Sequence, residues 1–345
     1  MTMNKLISTV ILLLSALLAG LSSPNTGVAI ATVSLEEHIT ITTWNIENIG
    51  GDGRGFASGF GRGNKPLRTP AQLQAIADLI RDELGSTIIA IQEVSITHQV
   101  DGDSRCAPLD TIAAELGDDW EYFIQQVDDI PEGHDNLFCA YMWDGSAVNM
   151  LEVLPLNVPN LNLAGANLFD RSPLVGYFET IKDGHEGNDF VLVNVHMKSG
   201  QGNEENHLIA MTLIEHGLTR NLLQNEIKES DRIILGDFND NPYALSQAGN
   251  QRYSDALYVH MAFKKYEDLV TEDFHSTRMD SNLTSIIDHI LVNVSTRGHM
   301  SDVEAEIFLP NGGDSSTFAE WRQTFSDHFP ISFQLRIEND DDVDF

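Results

Sequence analysis

Carboxylate, amide and imidazole side chains recur in this chain beside apolar sequence, where such groups are costly to bury unless paired or bound to a metal ion. Asn45 ends the run Ile41-Thr42-Thr43-Trp44, and Gln92-Glu93 end Ile88-Ile89-Ala90-Ile91. His196 ends Val191-Leu192-Val193-Asn194-Val195, and Asp237 and Asn239 follow Ile233-Ile234-Leu235-Gly236. Asp288 and His289 are set between Ile286-Ile287 and Ile290-Leu291-Val292, while Ser326-Asp327-His328 precede Pro330-Ile331-Ser332. One such residue alone reads as a cap, a turn or a hydrogen-bonded core residue. Their repetition at the ends of successive apolar runs reads as a convergent polar site. Its oxygen-rich donors suit Mg²⁺, Mn²⁺ or Ca²⁺ rather than zinc. Cys106 and Cys139 show no zinc-ligand spacing either.

The elements that would position these groups are short β-branched runs: His38–Trp44, Thr87–Ile91, Phe138–Trp143, Phe190–Val195, Arg232–Leu235, Ile286–Val294 and Pro330–Ile337. Each reads as a strand buried on both faces. Helical patterns lie between them at Pro70–Leu84, Leu109–Leu116 and Glu205–Glu226. Strands interspersed with helices predict an α/β or α+β sandwich of sheets flanked by helices.

Acidic residues number 52 against 20 Lys and Arg among 345 residues, for a formal charge of −32. That excludes a nucleic-acid-binding module relying on a generally basic surface. It is compatible with a protein working in salty water, where long-range repulsion is screened, or with an enzyme whose cations are bound metal. Lys5, the apolar run Leu6–Leu21 and the small-residue stretch ending Ala29-Ile30-Ala31 have the order of a secretory signal peptide. Cleavage before Thr32 is expected, with a secreted or periplasmic product and no stable membrane association. A folded domain over 32–338, an acidic solvated tail over 339–345 and a monomer are expected. Export makes Cys106 and Cys139 candidates for one disulfide, with two free buried thiols as the alternative.

The glycine-rich stretch Gly50–Pro70 carries Arg54, Arg62, Lys65 and Arg68 against Asp52. It reads either as a flexible connection whose cations pair with neighbouring acids or as a phosphate-contacting loop.

Trp44-Asn45-Ile46-Glu47, Ile91-Gln92-Glu93, Gly236-Asp237-Phe238-Asn239, Ile287-Asp288-His289 and Ser326-Asp327-His328-Phe329-Pro330 resemble, in order, the motifs of the endonuclease/exonuclease/phosphatase superfamily. They span nearly all of the chain after residue 31. Arg171-Ser172-Pro173, ahead of Phe178, is similar to the arginine motif of pancreatic-type deoxyribonucleases. The resemblance implies a four-layer α/β sandwich with the site at one end of two facing sheets. It implies that Glu93 binds a catalytic metal with Asn45 and Asp327, and that Asp237 activates water beside Asn239. It further implies that His328 meets the scissile phosphate as an imidazolium backed by Asp288. His196 would be the second phosphate-facing histidine, leaning on Asp135, and Arg171 would contact substrate. Arg54 and Arg62 would join it if the glycine-rich stretch contacts phosphate, and Lys198 contacts phosphate or is a surface lysine. Lys198, in His196-Met197-Lys198-Ser199, departs from the pancreatic pattern and is similar to bacterial and lipid-phosphodiesterase branches. The function so implied is an exported, metal-dependent hydrolase of DNA, with RNA as the further candidate substrate. The alternatives are a lipid or small-molecule phosphoesterase resembling sphingomyelinases and an inactive binding protein on the same fold.

Overall fold

All seven apolar runs are strands in the computed structural model. It describes residues 37–51, 67–126, 137–156, 162–163, 166–167, 172–182, 184–199, 204–225, 227–241, 266–270, 276–279, 285–300 and 305–337. In chain order the strands begin with β1 (His38–Ile49), β2 (Ile88–Ser95), β3 (His98–Val100), β4 (Asp103–Arg105), β5 (Trp120–Ile124) and β6 (Leu137–Asp144). They continue with β7 (Val148–Pro155), β8 (Asn162–Leu163), β9 (Ala166–Asn167), β10 (Leu174–Lys182) and β11 (His185–His196). The last five are β12 (Arg232–Asp237), β13 (Tyr266–Asp268), β14 (Asp288–Asn293), β15 (Glu306–Ile307) and β16 (Ile331–Arg336). The helices are α1 (Pro70–Asp78), α2 (Ala107–Leu116), α3 (Glu204–Gln224), α4 (Val294–Gly298) and α5 (Phe318–Thr324).

Two six-stranded sheets result, ordered β15-β16-β1-β2-β6-β5 and β13-β14-β12-β11-β10-β7. Each has a parallel pair at its centre, β1 with β2 and β11 with β12, and antiparallel neighbours outside it. A parallel pair needs a crossover; the connection through α1 supplies the first and α3 the second. The sandwich follows from side-chain alternation. Ile41, Ile88 and Ala90 meet Phe190, Leu192, Ile233 and Ile290 between the sheets. Their neighbours Ile89 and Ile91 face outward onto α1, α2 and α5 through Ile76, Ile112 and Trp321. Val191, Val193 and Ile234 face outward onto Ile214 and Leu218 of α3. Four layers, α/β/β/α, are the outcome.

The helix α1 starts where its sequence dictates. Thr69 caps it and Gln72 returns the bond, with Gln72 N–H donating to Thr69 Oγ1 at 3.3 Å and Thr69 N–H to Gln72 Oε1 at 2.8 Å. A π-helical segment, Leu79–Leu84, continues it to Gly85, whose φ of 56° ends the helix.

Cys106 and Cys139 are not bridged: both are buried thiols, Cys106 in the outer layer and Cys139 between the sheets. The first sheet separates them, so of the two readings the free buried thiols hold. The signal-peptide stretch, the acidic tail and the span 52–66 with Arg54, Arg62 and Lys65 lie outside the described residues, as do Asp135 and Arg171. Among the described residues no helix is long and apolar enough to cross a membrane.

Candidate active site

Parallel pairing brings the C-terminal ends of β1 and β2 to one edge of the first sheet, and those of β11 and β12 to one edge of the second. The antiparallel strand β14 starts where β12 finishes, so His196, Asp237 and Asp288 stand in register across three strands. Likewise β16 starts beside the end of β1, and the Ser326-Asp327-His328 turn leads into it. Asn45, Glu93, His196, Asp237, Asp288, Asp327 and His328 are all buried.

Asn45 does not end its strand. The backbone continues to Ile49, but the β1–β2 register slips between Asn45 and Ile49, and the β2–β6 register slips between Ile91 and Val94. Glu47, Asn48 and Glu93 at these irregularities have φ of 50°, 53° and 62°, and Asn239 in the second sheet has 49°. Four of the six non-glycine residues with positive φ among the described residues are therefore at the site. Backbone irregularity of this kind re-aims side chains, and strain of this kind gathers where function requires a particular geometry. Gly236 has a different reason. A Cβ there would stand 2.0 Å from the Val195 carbonyl oxygen, so β12 closes on β11 only with glycine before Asp237.

The amide of Asn45 ties the sheets together by donating to Glu93 Oε1 at 3.3 Å and Asp237 Oδ2 at 2.9 Å, while its Oδ1 accepts from Glu47 N–H. Just beneath, Gln92 Nε2 donates to Asn194 Oδ1 at 2.8 Å, and Asn194 Nδ2 donates to the carbonyls of Ile91 and Ala140. These buried amides lock the site floor across the sandwich, since an unsatisfied partner would be expensive. Asn239 N–H donates to Asp237 Oδ1 and its side chain to the Met197 carbonyl, fixing the second-sheet loop.

His328 Nδ1 is 2.8 Å from Asp288 Oδ2, and its Nε2 is 3.8 Å from Asp237 Oδ2. Burial pulls this imidazole down, but the Asp288 carboxylate, with Asp237 and Asp327 behind it, overrides burial and holds it up at about 10. Asp237 is raised from 3.8 to about 6 by its burial and by the Asp288 charge, against the pull of His328, Asn45 and Asn239. Burial also works upward on Asp327, yet His328, Arg278 and Arg322 hold it down at about 2. His196 Nε2 closes the space from the second sheet, 3.6 Å from Asp237 Oδ2 and 3.9 Å from Glu93 Oε1.

Asp237, Asp288 and His328 present ligand atoms within 4.8 Å of one another, a grouping able to hold a metal ion. The Asp288–His328 bond and the proton it stabilises make that histidine a poor ligand in this state. Glu93 and Asp237, two buried carboxylates brought together by one amide, offer the hard oxygen donors that a divalent cation needs. The donor set fits Mg²⁺, Mn²⁺ or Ca²⁺.

Of the cations in the glycine-rich stretch, Arg68 lies among the described residues. Its guanidinium turns inward and donates to the carbonyls of Ile46, Thr324 (3.3 Å) and Phe325 (2.5 Å), pinning β1 to the end of α5. Burial pulls it down to about 10 against the Glu47 charge. It is a structural cation, not a substrate contact. Arg68→Ala should lower stability by about 3 kcal/mol, because three carbonyls, that of buried Ile46 among them, lose a charged donor. Urea denaturation reads this out, and an unshifted midpoint would mean that water replaces the guanidinium. Lys198 is half-buried, with its carbonyl 2.7 Å from His207 Nε2.

Sequence reasoning missed Glu47, Arg278 and Arg322. Glu47 stood inside the Trp44–Glu47 motif, and only the fold shows that its carboxylate accepts from Asp327 N–H. The arginines lie in no motif and reach the site by folding alone.

The overall structure is similar to several solved proteins. One is an endonuclease/exonuclease/phosphatase from Bacteroides vulgatus, with a TM-score of 0.55 and 14% identity over 88% of this chain and 100% of that one. Another is the human Nocturnin catalytic domain with bound sulfate anion (0.54, 16%, covering 87% and 93%). A third is a mannosyl-6-phosphatase from Bacteroides thetaiotaomicron (0.51, 16%, covering 85% and 98%). No family model and no curated protein matches the sequence. The fold is that of the endonuclease/exonuclease/phosphatase proteins, a two-sheet α/β sandwich.

Proposed function

We propose that this chain is an exported, divalent-metal-dependent phosphodiesterase that hydrolyses nucleic acid, DNA in the first instance. The observation that carries the reading is a buried carboxyl poised near neutrality only 3.8 Å from a buried imidazolium. Hydrolysis of a phosphodiester needs a base for water and positive charge for the phosphoryl oxygens. Asp237 takes the water proton, the water oxygen bonds to phosphorus, and the ester P–O bond breaks. His328 donates to a non-bridging oxygen, its charge sustained by Asp288. Asn239 holds the Asp237 loop and faces the phosphate. His196 is placed to protonate the leaving oxygen. A divalent cation held by Glu93, with Asn45 and Asp327 beside it, would supply further positive charge to the phosphoryl group. Export rests on the order of Lys5, Leu6–Leu21 and Ala29–Ala31.

The test is parallel incubation of the purified protein with Mg²⁺ and supercoiled plasmid, RNA, sphingomyelin or phosphoinositides. Plasmid nicking that stops with EDTA and returns with Mg²⁺ or Mn²⁺ is the expected result. Turnover of a lipid alone would replace the nucleic-acid reading, activity in EDTA would overturn the metal, and silence on all four would favour a binding protein.

A further inference from the structure

Two arginines converge on the carboxylate of Asp327. Arg278 donates Nε and Nη2 to Asp327 Oδ2 at 3.3 and 3.1 Å, and its backbone forms a bridge with His328. Arg322 grips Glu47 through Nε at 3.0 and 3.2 Å and Nη2 at 2.5 Å, and its Nη2 reaches Asp327 Oδ2 at 3.8 Å. Asp327 Oδ1 is 3.9 Å from His328 Nε2. Both guanidiniums thus stand one carboxylate away from the imidazole assigned to the scissile phosphate.

Neither is sealed in. The Arg278 side chain is 31% exposed and that of Arg322 is 46%. Each uses Nε and Nη2 on its carboxylate, and Nη1 of each makes no hydrogen bond to another described residue. Asp327 is matched by Arg278 and Glu47 by Arg322, so the four charges cancel and the outer edges of two rigid donor forks remain. An arginine held in this way has lost little further freedom when it meets an anion, and its fork matches phosphate geometry. In a chain of net charge −32, paired half-exposed cations beside the reacting centre are an unusual placement for surface charge.

We propose that Arg278 and Arg322 form a second anion subsite, for a phosphate one group removed from the scissile one. The subsite selects substrates with consecutive phosphates, such as a nucleic-acid strand, over isolated diesters. This deepens the phosphodiesterase reading and rests on it for the orientation of the substrate.

Calorimetry with Mg²⁺ present compares thymidine 3′,5′-bisphosphate with thymidine 3′- and 5′-monophosphates. The wild type should bind the bisphosphate about 30-fold more tightly than either monophosphate, and Arg278→Gln or Arg322→Gln should each shrink that ratio to about 3-fold. The ratio is the readout because loosening Asp327 would weaken all three ligands alike. Arg322, the more exposed of the two, gives the variant least exposed to folding problems. A wild type without preference, or variants that keep it, would overturn the subsite. If the wild type prefers the bisphosphate yet cleaves no diester, the reaction assignment falls and the subsite stands. If it cleaves diesters without preferring the bisphosphate, the subsite falls and the reaction stands.

Discussion

Replacing His328 with alanine should lower kcat/KM for a phosphodiester at least about 1,000-fold, the scale of one charged donor lost from the transition state. At about 1.4 kcal/mol per factor of ten this asks about 4 kcal/mol of a single buried imidazolium. The environment supplies it: Asp288 at 2.8 Å orients the ring and stabilises its charge, and neither group is exposed to screening solvent. Alanine has a second effect, since it leaves the Asp288 carboxylate buried without its partner, at a cost of several kcal/mol. His328→Gln separates the two, because its amide donates to Asp288 while carrying no charge. Circular dichroism should show the glutamine variant folded and kinetics should show it nearly as inactive as alanine. A folded, active glutamine variant would sink the imidazolium role. The pH dependence has a definite sign. The folded state raises His328 from 6.5 to about 10, so its contribution to stability is fully present below about 6.5 and is lost as pH rises through about 10. Its charge, and with it the alkaline side of the rate profile, should persist to the same limit.

The centre of the fold was legible because central strands are buried on both faces and read as unbroken apolar runs. That describes β2, β6, β12 and β14, whose residues are nearly all buried. The strands β5, β7 and β10 were not seen. Burial alternates along β5 and β7, edge strands that expose one face, and polar residues such as Glu152 and Glu179 interrupt the pattern. The short α5 was invisible for another reason: Trp321 stacks on Phe325, the residue that caps the helix, at 4.2 Å, but seven residues carry too little periodicity to read. Within the site, residues at strand ends could be found because a polar group beside a run of isoleucines demands an explanation. The positive φ of Glu47 and Glu93 could not be found, because neither residue type announces it. Nor could Arg278 and Arg322, since pairing with Asp327 is a property of the folded chain.

Substituting Asp237 with asparagine should cost about 10,000-fold in kcat/KM, near the upper end for loss of a general base. Its effect on stability should run the other way with pH, and that makes the assignment testable without any substrate. In the folded chain Asp237 is raised from 3.8 to about 6 by burial and by Asp288. Between those values the native state holds a proton that the unfolded chain has released. The contribution of Asp237 to wild-type stability should therefore fall as pH rises through this window, by about 2 kcal/mol between about pH 4 and 7 in metal-free buffer. Asparagine does not titrate, so the variant gains on the wild type by the same amount over the same interval. Its poorer match to the Asn45 amide, which donates to Oδ2 at 2.9 Å, shifts the curve as a whole and does not change this slope. Urea midpoints measured at both ends of the interval decide the matter. A difference between variant and wild type that stays flat with pH would mean that Asp237 ionises as an ordinary carboxylate. Its tuning toward neutrality would then be gone, and with it the reason to regard it as the base. If the slope appears, the burial of Asp237 and its crowding against Asp288 are both a loss of stability and the source of its basicity, the trade expected of a working site.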